Sequence, residues 1–203
     1  MLPILLMLAA PGPETAIEAE RAFNRSAQID GQWTAFRNFS TPDALLFTPQ
    51  PVKAHDVLPT RNPPIAVQWW PAESYVSCDG TVAVNTGPWV RPNASGYFTT
   101  VWVRQADGHY KWVYDGGDTL AIPRALPEQP KVATASCRGA APGVGNEADD
   151  PGQVSGAGAS ADRTLVWGWT VWPNGARLFA VRLWNGRGYD IVLRNDIAAP
   201  PAQ

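Results

Sequence analysis

Asp115 is the residue whose type and setting point most directly to chemistry. It follows Trp112-Val113-Tyr114 and precedes Gly116-Gly117. A carboxyl group enclosed by aromatic rings resists ionisation, so its pKa climbs towards neutrality, where it can give or take a proton. The plainer reading is that Asp115 ends a strand and caps the Gly-Gly turn, which is ordinary Asp chemistry. The two histidines offer less. His109 falls in the turn Asp107-Gly108-His109, and His55 stands beside Asp56, where neighbouring helical side chains diverge and form no dyad. Ser26, Ser40 and Ser74 lack the Gly-x-Ser-x-Gly setting of a hydrolase nucleophile. Gly143-Val144-Gly145 follows no strand and is no dinucleotide fingerprint. Two cysteines and two histidines, widely spaced, do not make a closed zinc site, so no metal and no cofactor is expected.

Aromatic residues form the second signal. Trp69-Trp70, Trp89, Tyr97, Trp102, Trp112 and Tyr114 cluster in the middle of the chain, and each taken singly fits a core position. As a group they also suit the wall of a cavity for an apolar molecule, with Trp89, Tyr97, Trp102, Trp112, Tyr114 and Asp115 as the candidate ligand-binding set. Trp167 and Trp169 alternate with Leu165 and Val171 on one strand face, which predicts a docking surface. Trp172 and Trp184 fall near strand ends, where a ring can stack on a sugar or peptide, although docking is the simpler role.

The elements that must position these residues change in texture along the 203-residue chain. Residues 1–16 contain the run Ile4–Ala10 followed by Pro11-Gly12-Pro13, too short to span a bilayer and suited to a secretory signal or to an apolar N-terminal arm. Glu14 to Phe39 predicts a long helix with a break or kink at Asp30-Gly31, and Lys53 to Leu58 a short one. From Glu73 the pattern becomes antiparallel sheet. Asp79-Gly80 separates Glu73–Cys78 from Thr81–Val90, and Asp107-Gly108 separates Gly96–Gln105 from His109–Asp115, two hairpin signals joined by the loop Arg91–Ser95. Lys131–Cys137 adds a further strand. Residues 138–162, rich in Gly, Ala, Pro and Ser, predict a flexible linker. Residues 163–197 predict a three-stranded meander, too small to stand alone, docked on the first domain beside Lys131–Cys137. The whole is an α+β chain.

Composition narrows the classes. A net charge of −2 with 17% charged residues lacks the basic footprint of a nucleic-acid binder. Cys78 and Cys137 are either two inert thiols or, in an oxidising compartment, a bridge closing a loop of about sixty residues and contributing about 4 kcal/mol. The apolar N-terminus and the cysteines together point to export, periplasmic or secreted. Asn24-Arg25-Ser26, Asn38-Phe39-Ser40 and Asn93-Ala94-Ser95 match the glycosylation acceptor, which matters only in a eukaryotic secretory route.

Five segments then carry a resemblance: Ala19–Phe23, Pro42–Phe47, Thr86–Trp89, Gly96–Trp102 and Asp107–Gly117. In this order the chain resembles SnoaL-like domains of the nuclear transport factor 2-like superfamily, in a branch of unknown function, over about residues 17–118. The resemblance implies a domain of residues 17–123 with a curved antiparallel sheet wrapped on a long N-terminal helix, a conical pocket, and pairing into a homodimer through the open sheet face. Ketosteroid isomerases of this superfamily use a carboxylate base and a tyrosine. Here Thr48 stands for the base, and Phe23 or Asn24 for the tyrosine, so that activity is not expected. The readings that remain are a small-molecule-binding or accessory protein, an isomerase, dehydratase or hydrolase working through Asp115, and a sheet-mediated interaction module.

Overall fold

The computed structural model describes residues 13–143 and 152–200, so the run Ile4–Ala10 and its signal-like reading lie outside the described residues. Helix α1 (Ala16–Ile29) is set by a capping box. The Glu18 amide donates to Thr15 Oγ1 at 3.2 Å, and the Thr15 amide donates to Glu18 Oε2 at 2.8 Å. Ala16, Ala19, Phe23 and Ala27 make its buried stripe.

The long helix read over Glu14–Phe39 is interrupted at Asp30-Gly31, where a break or kink was expected, and is two helices. Gly31 turns the chain with φ 99°, a conformation only glycine adopts easily, and α2 (Gln32–Phe39) leaves in a new direction. Asn62 fills the corner and replaces the missing local cap, its Oδ1 accepting from the Trp33 and Thr34 amides at 2.8 and 3.2 Å. The break brings Phe36 and Phe39 back onto Phe23, with ring centroids 4.8 and 5.3 Å away.

β1 (Ser40–Phe47) follows directly, and β2 (Pro51–Lys53) folds back on it. α3 (Ala54–Val57) matches the predicted short helix. β3 (Gln68–Trp69), β4 (Glu73–Val76), β5 (Val82–Arg91), β6 (Ala94–Arg104), β7 (Tyr110–Thr119) and β8 (Lys131–Thr134) complete the first sheet. Its order is β2-β1-β7-β6-β5-β4-β8, with β3 also paired to β5. Both Asp-Gly hairpins form, Gly80 at φ 66° and Gly108 at φ 87°. β8 runs parallel to β4 in this sheet, and the residues just after it meet the tail as expected, the Ser136 amide donating to the Trp184 carbonyl at 2.7 Å.

The second sheet has the order β12-β11-β10-β9, built from β9 (Val154–Ala159), β10 (Leu165–Val171), β11 (Arg177–Trp184) and β12 (Tyr189–Ile197). It is four-stranded, because β9 arises inside the segment expected to be a flexible linker. The Gly and Ala content there has a packing cause. Gly156 and Gly158 lie opposite Trp169 and Trp167, and a Cβ on either would come within 2.5 and 2.7 Å of those rings. Two large rings require two absent side chains across the ladder.

Two cores result. The inner face of the first sheet packs Ala83, Phe98, Trp102 and Trp112 against the helices. The outer face packs Val82, Val84, Val101 and Tyr114 against Leu165, Trp167, Trp169, Phe179 and Val181 of the second sheet. The docking role expected of Trp167 and Trp169 is what they perform. The outer face, expected to be open for pairing, is instead covered by the chain's own tail. Cys78 and Cys137 form a disulfide with Cα atoms 5.2 Å apart, joining the end of β4 to the segment after β8. Among the described residues no helix is long and apolar enough to cross a membrane, and both observations are compatible with export.

Candidate functional site

A cavity of about 460 Å³ opens between α2, the ends of β1, β3, β5, β6 and β7, and the start of β11. Trp33, Phe36, Trp69, Trp89 and Phe98 give it an aromatic wall, and Asp115 is its inner polar group. An irregularity in β7 sets that orientation. Val101 pairs with Tyr114 but Trp102 pairs with Trp112, so Val113 is an extra residue that shifts the alternation. Without the bulge, Trp112 and Tyr114 would share a face and Asp115 would point outward. With it, Trp112 joins the inner core, Tyr114 the outer one, and Asp115 turns inward.

Asp115 does not end its strand. β7 continues through Gly116 and Gly117 to Thr119, paired with β6 down to Gly96, and among the described residues no backbone amide donates to the carboxylate. The turn-capping reading is therefore corrected. Oδ2 accepts from Thr100 Oγ1 at 3.0 Å, while Oδ1 has no partner among the described residues and is reachable from the cavity. Burial, and secondly the charge of Glu20, raise its pKa to about 8, against the lowering effect of the Thr100 hydroxyl. At neutral pH this is a protonated carboxyl group, able to donate one hydrogen bond into an apolar space.

Glu20 is a functional candidate that sequence reasoning missed. It is wholly buried on α1, where Oε1 accepts from Trp69 Nε1 at 2.7 Å, and Oε2 from Trp102 Nε1 at 2.7 Å and Asn85 Nδ2 at 3.2 Å. Burial raises its pKa to about 7, opposed by those three donors. Asn85 and Thr100 are cross-strand partners, as are Thr100 and Asp115. A polar row thus crosses the inner face from Glu20 through Asn85 and Thr100 to Asp115, with the Asn85 Oδ1 acceptor unpaired. Glu20 holds three donors and Asp115 one, so the first negative charge in the row settles on Glu20. The available signal was a carboxylate set within the Ala16-Ala19-Phe23-Ala27 stripe, where a charge is out of place on a helix.

Of the remaining candidates, Trp89 borders the cavity, and Tyr97 does so at its rim with the Arg124 guanidinium 3.6 Å from its ring centroid. Trp102 and Trp112 are fully buried core residues and Tyr114 packs on Phe179 in the outer core, so these three are not on the wall. Thr48 lies on the rim, Phe23 fills the inner core, and Asn24 accepts from the Gln28 amide group. His55 Nε2 pairs with Ser40 Oγ at 2.8 Å away from the cavity, and His109 lies 3.5 Å from Glu14 in its turn. Among the described residues no cluster of His, Cys, Asp and Glu is arranged to hold a metal ion. No protein-family model, curated protein or solved structure matches the chain.

Proposed function

We propose that this chain is an exported, periplasmic or secreted, small-molecule-binding protein on the cone-shaped SnoaL-like plan. In this reading its ligand has an apolar body and a neutral acceptor group that meets Asp115. The supporting observation is Asp115 Oδ1, an oxygen of a partly buried carboxyl group with no partner among the described residues, opening on an aromatic cavity. A largely aromatic wall with a few convergent polar groups is what ligand sites look like. Native mass spectrometry of the full chain purified from its own host tests this. A retained small molecule, lost on Asp115→Asn or on filling the cavity, is expected. Protein that carries nothing, and binds no apolar probe, removes the reading.

One observation favours a second reading, an enzyme of isomerase, dehydratase or hydrolase type. A carboxyl group poised near pH 8 and lacking backbone donors can move a proton between two substrate atoms. The arms separate on Asp115→Asn. A binder loses affinity, whereas an enzyme keeps ligand binding and loses turnover.

A further inference from the structure

Arg177 opens β11 and belongs to the second sheet, yet it lines the mouth of the cavity in the first. The turn before it fixes that reach. Gly175, at φ 85°, lies against the rim, where a Cβ would come within 3.2 Å of Pro49 Cγ. The guanidinium sits 5.5 Å from the Phe47 ring centroid, and Nη2 donates to the Gly117 carbonyl at a long 3.3 Å. Nε is buried with no acceptor, and no described carboxylate forms an ion pair with this head.

The other charges around the mouth do not satisfy it. Asp118 shares the rim, but its Oδ1 accepts from the Thr119 amide at 2.7 Å. Arg91 is exposed and lies 5.7 Å from the Trp89 ring centroid. The rim therefore carries two guanidiniums and one carboxylate. A buried donor without an acceptor is rare, and although Nε itself is sealed, the Arg177 side chain that carries it lines the mouth of an apolar space. A guanidinium fork matches the paired oxygens of a carboxylate or sulfonate.

We propose that the cavity selects amphipathic organic anions, with the anionic head held by Arg177 at the mouth and the apolar body within the aromatic wall. This rests on the cavity being a small-molecule site, and it makes the second sheet a contributor to recognition as well as a cover for the first. The test uses two probes that differ by one charged group, 1-anilinonaphthalene-8-sulfonate and the neutral N-phenyl-1-naphthylamine. Each is titrated by fluorescence against the full chain.

Arg177→Gln is expected to weaken the sulfonate by about ten-fold or more, the scale of a charge-assisted hydrogen bond, and to leave the neutral amine unchanged. Arg177→Lys keeps the charge without the fork and falls between. Thr119→Trp, at the exposed end of the wall, is expected to exclude both probes. Equal loss of both probes in Arg177→Gln, or loss of neither, overturns the role of Arg177 and leaves the cavity standing. No binding to the wild type, or binding untouched by Thr119→Trp, removes the cavity as the site and this proposal with it.

Discussion

Asn85 and Thr86 are neighbours in β5, and Thr99 and Thr100 are neighbours in β6, so each pair sends one polar side chain to either face of the first sheet. On the outer face the chain of bonds closes. Arg124 donates to Thr86 Oγ1 at 2.9 Å and to Asn195 Oδ1 at 2.6 Å, and Asn195 Nδ2 donates to Thr99 Oγ1 at 3.0 Å. Thr99 then donates to Thr86, which donates to the Phe98 carbonyl. On the inner face the row is left open at Asn85 Oδ1 and at Asp115 Oδ1. A closed buried network fastens two layers together, whereas an open one keeps donors and acceptors for something else. One sheet thus carries its structural polarity on one side and its candidate chemistry on the other.

The largest effect of a single substitution is expected from opening the dry side. Phe179 is 1% exposed and packs on Tyr114 at 4.5 Å. Phe179→Ala should cost about 3–5 kcal/mol in denaturant unfolding, because neighbouring β-strands cannot collapse into the space. A loss under about 1 kcal/mol would mean that the second sheet is not an integral layer.

The inner row should reveal itself through pH. Both carboxyl groups have folded pKa values raised above their unfolded ones, to about 7 for Glu20 and about 8 for Asp115. Protons held by the folded state and lost on unfolding stabilise it. That contribution is complete below about pH 4 and fades as pH rises through 7 and 8. Wild-type stability should therefore fall between pH 5 and 9 by about 6 kcal/mol, from about two pH units for Glu20 and three for Asp115 at about 1.4 kcal/mol each. Asp115→Asn should flatten the upper part of the fall, and Glu20→Gln should move the Asp115 titration downward by removing a neighbouring charge. A profile rising with pH over this range would contradict the assignment.

Closing bonds should matter more than binding on the outer row. Asn195→Ala strands a buried Arg124 donor and should cost about 1–3 kcal/mol, with probe affinity for the cavity unchanged. If probe binding falls in step with stability, the two faces are not separable as described.

How much of this was legible follows from how local each cause is. The two Asp-Gly hairpins and the docking face of Trp167 and Trp169 are written in short spans or in simple alternation, and the sequence reads them directly, whereas the Cys78–Cys137 bridge spans 59 residues and was one of two open readings. β9 was not legible, because Gly156 and Gly158 look like a linker until Trp167 and Trp169 are laid across them. The wall was half legible for a similar reason. Trp112 and Tyr114 carry the spacing of one strand face, and the bulge at Val113, which separates them and turns Asp115 inward, has no residue signature. Glu20 is marked locally only by its place in the apolar stripe of α1, and its indole partners, like the reach of Arg177, lie across sequence separations that no local pattern encodes.

The smallest expected effect is also the most specific to the row. Thr100 is wholly buried, and among the described residues its hydroxyl gives Asp115 the one hydrogen bond that favours ionisation. Thr100→Val keeps the shape and removes that donor, so the Asp115 pKa should rise above about 8, opposite in sign to the Glu20→Gln shift. At neutral pH the carboxyl is already protonated, so stability there should change by less than about 1 kcal/mol. Infrared titration of the carboxyl stretch, with Asp115→Asn as the blank, reads both signs on one group. Shifts of the same sign in the two variants would show that Glu20 and Thr100 act on Asp115 through general packing, and the row would lose its meaning as a connected set.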